Sequence, residues 1–299
     1  MRNKIEPLKL SRKTISNYLE HFLKEREGVL SSIRTNDIEP VHRMRVASRR
    51  LRAAIKVFKP VLPTNRCDIW RNKIRKLGRA LGRARQLDIQ IKFIEATKGK
   101  LRNNSNIVNT EKVINFLKKK RKREQKKIYR KLIDFHIKEE LPGLKDWLQA
   151  LSPGSRKCAM DSYVTKKKAT ILKRLDKLLE FAPYVYKPKN IKKLHRMRIA
   201  AKNLRYTLEI LRPWYGGKID KYIRASRNIQ DSLGEIHEFD VLKQTLVGFL
   251  NKKDKAFNKT ITRLKQKYAI LRKTSYHQFV RFWDDLQGKR LWKTLRQTV

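Results

Sequence analysis

The sequence predicts an all-α fold made of two copies of a four-helix unit, and three observations carry that reading. Apolar residues recur at the three-and-four spacing of amphipathic helices in one long segment after another, with no period-2 alternation of the kind a strand shows. Turn residues cluster between those segments, at Pro60 and Pro63, Gly99 to Asn109, Pro142-Gly143, Ser152-Pro153-Gly154, Pro183 and Gly216-Gly217. The whole order of segments then occurs a second time. The divide falls at Leu151-Ser152-Pro153-Gly154, giving a first half of 1–151 and a second of 152–299.

The first segment runs from 11 to 35. Ser11 is its expected N-cap, and Ile15, Tyr18, Leu19, Phe22, Leu23, Val29, Leu30 and Ile33 follow at helical spacing, with Gly28 a tolerated weak point. The second, from Val41, contains no glycine and must stop at or just before Pro60, because proline lacks an N–H and clashes with the preceding turn. The third, from about Cys67 to Thr97, carries the apolar stripe Trp70, Ile74, Leu77, Leu81 and Ala84, while Arg71, Arg75, Arg79 and Arg83 climb another face. The fourth is expected from about Thr110 to Lys138. Its stretch from Lys118 to Lys131 is nearly all basic and in isolation also fits a disordered or localisation-like patch. Val113, Ile114, Leu117, Ile128, Leu132 and Phe135 at helical spacing favour an ordered helix. Pro142-Gly143 ends the region, with a last short turn from Lys145 to Leu151.

The second half repeats this order over 155–181, about 191–213, about 218–250 and about 254–287. Leu81-Gly82 before Leu87-Asp88-Ile89 corresponds to Leu233-Gly234 before Phe239-Asp240-Val241. Trp70 aligns with Tyr222, Arg75 with Arg227 and Arg85 with His237. The spacing from His42 to His195 differs by a single residue from that between Asp88 and Asp240, so loop lengths are almost preserved.

The repeat is sharpest in the second segment. On a wheel of roughly 100° per residue, His42, Arg45, Arg49, Arg52 and Lys56 fall within a strip about 80° wide, nearly opposite Met44, Ala47, Leu51, Ala54, Ile55 and Phe58. The second copy places His195, Arg198, Lys202 and Arg205 the same way, with Glu209 where Lys56 stood. A merely solvated outer face normally mixes signs. Here the charge has one sign, a histidine opens each row and the spacing is kept, which points to a ligand.

Lys and Arg number 76 against 27 Asp and Glu, a net charge of +49. Such an excess repels itself in the folded state, and a polyanionic partner relieves the repulsion. Nucleic acid, inorganic polyphosphate and an anionic membrane surface are the candidates. No apolar run approaches the roughly 20 residues of a membrane helix, and Met1 to Pro7 leads into no apolar signal-like run, so neither spanning nor secretion is expected. Cys67 and Cys158 fit no metal or redox spacing and read as free thiols of a reducing cytoplasm.

The pattern H-x-x-R-V-A-x-R-R-L-R from His42, L-G-x-x-R-x-x-D from Leu81 and H-x-x-R-I-A-x-K-x-L-R-Y from His195 resembles the CHAD family, the histidine-containing α-helical domain. The likeness spans essentially the whole chain, in both halves and in the right order. It implies two four-helix bundles related by a pseudo-twofold axis, with the motif helices facing a central basic cavity that binds inorganic polyphosphate. On that reading the expected location is the cytoplasm, at polyphosphate granules. The family is often fused to a triphosphate-processing tunnel-fold enzyme; no residues are left over for one, so this copy is expected to stand alone. The family's motif histidines fall on His42 and His195, and its basic positions on Arg45, Arg49, Arg50, Arg52, Arg198, Lys202 and Arg205. The family's usual R-D-x-D segment departs to Arg85-Gln86-Leu87-Asp88 in one copy and His237-Glu238-Phe239-Asp240 in the other. Unequal contributions from the two halves are therefore expected, and Lys56 against Glu209 suggests the same.

A linear polyphosphate has no base edges to read, so repeated negative charge is its only handle. Arginine meets phosphate oxygens with a planar fork of donors and lysine with a compact point charge. A helix fixes such groups at about 1.5 Å rise per residue, so little entropy is lost on binding. Arg75, Arg79, Arg227, Lys126 and Lys267 are candidates to extend the surface. The two histidines admit three roles: donating to phosphate in their charged form, binding metal, or packing structurally. Metal ligation needs several converging ligands, and without a His, Cys or acidic cluster it requires His42 and His195 to meet, so phosphate donation is preferred.

Asp88 and Asp240 can be read as a catalytic pair or as partners of otherwise uncompensated buried arginines. The second reading is favoured, because neither segment offers a further acid at ligand spacing in both halves. No P-loop, nucleophile elbow or acidic metal cluster is visible. A non-catalytic binder without a cofactor is expected, and a metal-dependent phosphohydrolase is the weakest reading. Nucleic acid is the alternative polyanion, although only Tyr206 interleaves the rows and no nucleic-acid module is recognisable. A membrane-surface role lacks a free bulky apolar face.

Overall fold

The computed structural model describes residues 6–35, 37–62, 64–137, 142–150, 157–250 and 254–299. The expected divide at 151–154 lies outside them, as do the side chains of Ile33, Phe135 and Cys158. The described residues are helical and contain no strand. In chain order the helices are α1 (Pro7–Thr35), α2 (Glu39–Phe58), α3 (Thr64–Lys98), α4 (Asn104–Ile137) and α5 (Pro142–Gln149), then α6 (Lys157–Leu179), α7 (Ile191–Leu211), α8 (Asp220–Val247), α9 (Lys255–Gly288) and α10 (Leu291–Thr298).

Local chemistry sets most of these boundaries. α2 ends at Phe58, and Pro60 lies in the 3-10 turn Lys59–Val61 that follows it. α1 begins at Pro7, ahead of the expected cap. Ser11 sits inside the helix and its hydroxyl donates back to the Leu8 carbonyl at 2.8 Å, since proline is well tolerated in a first helical turn. The Asn-rich break is shorter than expected because the Asn103 side chain accepts the Asn106 N–H at 3.1 Å and caps α4. Asp254 caps α9 in the same way, accepting the Phe257 N–H at 2.8 Å. Pro142 starts α5 and does not end the region. Gly216 and Gly217 take φ of +52° and +82° in the turn after α7, where a side chain would be strained. α10 was not expected. Arg290 turns the chain in the left-handed region at φ +46°, and Trp292 and Leu295 are then buried.

The chain packs as two compact units that draw on both sides of residue 151. One gathers Met1–Arg85, Lys122–Lys173 and Tyr206–Lys218; the other gathers Gln86–Arg121, Arg174–Arg205 and Ile219–Val299. In the first unit α1 packs along α2 and α5 docks on α1. Ile15, Leu19 and Phe22 of α1 and Met44, Leu51, Ala54, Ile55 and Phe58 of α2 are fully enclosed. This is the apolar side of each helical stripe, and burying each large side chain stabilises the fold by about 1.5–3 kcal/mol.

The second unit has a four-helix core of its own. Leu87 and Ile94 of α3, Val113, Ile114 and Leu117 of α4, Phe239, Leu242 and Leu246 of α8, and Ile261, Leu264 and Tyr268 of α9 form one cluster. The Tyr268 hydroxyl is satisfied inside it, donating to the Phe93 carbonyl at 2.8 Å and lying 2.8 Å from the Thr97 hydroxyl. No helix among the described residues is long and apolar enough to cross a membrane.

Candidate functional site

In the first unit the amphipathic pattern of α2 leaves His42, Arg45, Arg49 and Arg52 half-buried and Arg50 and Lys56 exposed. Two glycines of α3 let the guanidiniums of Arg52 and Arg45 lie close against that helix. A Cβ on Gly78 would meet Ser48 Oγ at 3.5 Å and Arg52 Nη1 at 3.8 Å; one on Gly82 would meet Arg45 Cζ at 3.8 Å. Arg52 therefore faces the arginine row of α3. Burial and the charges of Arg75, Arg71, Arg79 and Arg49 hold its guanidinium below the usual arginine range. At one end Asp68 bonds Arg71 at 2.6 Å and Lys59 at 2.5 Å.

His42 closes the other end of the row. Burial first, then Arg85, lower its pKa below 6.5; Glu39 acts the other way, and Arg49 and Arg45 add smaller lowering effects. Its Nδ1 is buried without a hydrogen-bond partner. Arg50 stands on a different flank, beside Tyr18 of α1, where Glu209 and Tyr206 also bear on that phenol. Lys126 is exposed on α4, near Glu124, which accepts from Arg83 and Lys127 at 2.8 Å each.

The second unit repeats part of this arrangement with different residues. His195, Arg198, Lys202 and Arg205 of α7 are half-buried, and a Cβ on Gly234 of α8 would meet Arg198 Cδ at 3.9 Å, the counterpart of Arg45 on Gly82. The His195 ring packs against His237, with ring centroids 4.1 Å apart and planes inclined by 43°. Burial, then Arg198 and Lys202, lower the pKa of His195. Burial, then His195 and Arg198, bring His237 down to about 4. The Nδ1 of His195 is buried without a partner, like that of His42. Arg227 is exposed on α8 and Lys267 half-buried on α9.

The paired aspartates have structural partners. Arg121 Nε of α4 donates to Asp88 at 2.6 Å, and the carboxylate side chain is only 1% exposed. Arg272 Nε of α9 donates to Asp240 at 2.5 Å, and its Nη2 reaches the Pro188 carbonyl at 2.9 Å. These arginines lie on the fourth helix of each half, not on the motif helices. Among the described residues no group of three or more His, Cys, Asp or Glu side chains converges in a way that could hold a metal ion.

The structure thus gathers His42, Arg45, Arg49, Arg52, Arg75 and Arg79 in one unit and His195, Arg198 and Lys202 in the other. It adds three residues that sequence reasoning had not counted as ligand candidates. Arg71 was visible on the α3 row, while Arg85 and His237 were visible only as an aligned pair. Crowded guanidiniums on fixed helices, with neutral imidazoles among them, can accept a run of anionic oxygens through charge and forked hydrogen bonds.

A search of curated proteins finds no matching sequence. Among solved structures, the CHAD domain from the plant Ricinus communis is 21% identical with a TM-score of 0.60, over 98% of this chain and 91% of that one. PptA from Streptomyces chartreusis is 12% identical with a TM-score of 0.64, over 93% and 99%. At these identities the likeness is one of fold. The CHAD domain family model matches residues 13–247, from α1 to the end of α8 and across both motif rows. By that match, which covers most of the sequence, the chain belongs to the CHAD domain family.

Proposed function

We propose that this protein binds inorganic polyphosphate without cleaving it, along the basic rows of α2 and α7 and the arginines that face α2 from α3. The observation that carries the reading is Arg52, half-buried on α2 and facing Arg75, Arg71 and Arg79 of α3, so that burial first and then those like charges and Arg49 disfavour its own. Like charges are held this close only at a cost, and a polyanion threaded among them relieves it. Cations one helical turn apart, about 5–6 Å, suit a flexible polymer that carries a charge on every unit. Membership of the CHAD family and the net charge of +49 support the same ligand.

The non-catalytic part rests on the acids. Phosphoryl transfer assisted by divalent ions needs carboxylates to hold the ion, and Asp88 and Asp240 are engaged by Arg121 and Arg272. Engagement of one polymer by both rows, in a central basic cavity with pseudo-twofold symmetry, is part of the proposal and rests on the sequence repeat and the family resemblance. So does a cytoplasmic location at polyphosphate granules.

The test is a competition titration at physiological salt with labelled long-chain polyphosphate against RNA and DNA of equal total charge. Polyphosphate is expected to bind more tightly. Equal competition per charge would make the protein a general polyanion binder, with nucleic acid among its partners. Phosphate released above control with magnesium or manganese would overturn the non-catalytic assignment. One long polymer per chain is the expected stoichiometry; two independent sites would show that the rows act separately.

A further inference from the structure

We infer that the packed pair His195 and His237 is a proton-dependent phosphate ligand that takes up charge with the polymer it binds. The inference rests on polyphosphate being the ligand. It starts from a difference between the copies: where the first presents Arg85 to its motif histidine, the second presents His237. A guanidinium keeps its charge at every physiological pH, whereas an imidazole is charged only when its surroundings favour the cation.

The surroundings of the pair in the free protein oppose that charge. From α7 the pair meets Arg198 and Lys202, both cationic. On α8 itself Glu235 is exposed to solvent, and the two acids that follow His237 are engaged. Glu238 accepts a hydrogen bond from Gln86 of α3, and Asp240 accepts from Arg272 of α9. The rings are in contact, so charging one opposes charging the other, and the pair titrates as a unit. The Nδ1 of His195 is already stripped of water and has no partner.

A phosphate run reaching Arg198 and Lys202 reverses this balance. It offers acceptor oxygens to ring N–H groups and supplies the negative charge that the site lacks. The pair then takes up about one proton, since charging both rings at 4.1 Å remains opposed. The sign follows from linkage. The pKa is low in the free state and raised in the bound state, so affinity increases as pH falls from the bound value towards the free one. His42 can add a smaller uptake in the first row, where Arg85 supplies charge at every pH.

The experiment is calorimetry of the full chain with long-chain polyphosphate, whose internal groups stay ionised, in two buffers of different ionisation enthalpy. Wild type should take up protons, and its affinity should rise about tenfold from about pH 8 to about pH 6. The double variant H195Q/H237Q should lose most of the uptake and of the slope. H237R, which installs the fixed charge of the first copy, should bind more tightly than wild type at about pH 8. Circular dichroism confirms that each variant is folded, and either variant alone decides. Binding with unchanged proton uptake in the double variant, or no gain for H237R at high pH, would overturn the inference and leave polyphosphate binding standing. Absence of polyphosphate binding by wild type at both pH values would remove the proposed function and this inference with it.

Discussion

The guanidinium of Arg45 on α2 rests against Gly82 on α3, where an added Cβ would meet its Cζ at 3.8 Å and its Nε at 4.0 Å. That is ordinary contact distance, so Gly82→Ala fits and should stabilise α3 by up to about 1 kcal/mol through helix propensity, with binding kept. Gly82→Leu carries three further carbons beyond that Cβ and should displace the Arg45 guanidinium from its place against α3. It should weaken polyphosphate binding severalfold while the melting temperature stays near that of wild type. Gly234→Leu should do the same through Arg198. A pair of titrations with thermal melts checks both; unchanged affinity in both leucine variants would separate the glycines from the ligand surface.

Arg52→Gln should move stability and affinity in opposite directions. In the free protein Arg52 is partly desolvated by burial and also repelled by four other arginines, so removing its charge should raise the melting temperature by roughly 1–3 °C. With polyphosphate present the order should invert, because the variant gains less stabilisation from the ligand. Melting curves with and without polymer read both effects.

Reversing charge on the rows should cost more than removing it. Arg45 and Arg49 to Glu, or Arg198 and Lys202 to Glu, each lose two attractive contacts and gain two repulsive ones. At roughly 1 kcal/mol or more per partly screened contact, either pair should lose well over tenfold in affinity. The slope of log affinity against log salt should become shallower in each, since fewer counterions are released. Lys13 and Lys24, exposed on α1, form the control pair and should cost less.

Asp88→Asn and Asp240→Asn should damage the fold and not a reaction. Each leaves an arginine with most of its side chain buried, Arg121 or Arg272, without its counter-charge. Breaking a buried pair from one side costs about 3–5 kcal/mol. Urea denaturation should show that loss in both variants. Phosphate release abolished by either substitution would assign the aspartates a catalytic role.

The ligand-free protein should also be acid-sensitive in a defined window. His237 has a pKa of about 4 in the fold against 6.5 as a free side chain, and that of His195 is lowered as well. A base whose pKa is depressed by folding adds stability that is fully present above 6.5 and is lost as pH falls towards 4. Melting temperature should therefore decline across that interval without ligand, and H195Q/H237Q should flatten the decline.

What the sequence determined by itself is what local chemistry decides. Helix periodicity, the stop at Pro60 and the glycines of the turn at Gly216 depend only on near neighbours, so the long helices and the two histidine-led rows were legible residue by residue. So was the family, because its motifs lie on single helices. The short α10 was not, since eight residues make only about two turns, too few to establish a period, and the left-handed turn at Arg290 carries no glycine to announce it. Tertiary structure alone chose the partners. Arg121 and Arg272 lie 33 and 32 positions from Asp88 and Asp240, and nothing in a charge-rich helix marks which arginine will reach back. The crowding of Arg52 and the contact of the His195 ring with His237 were hidden for the same reason: a wheel shows which face a side chain occupies, but only packing decides which other helix that face meets. The compact units likewise draw on both halves of the chain, because burial follows which apolar faces fit together and not the order in which they were made.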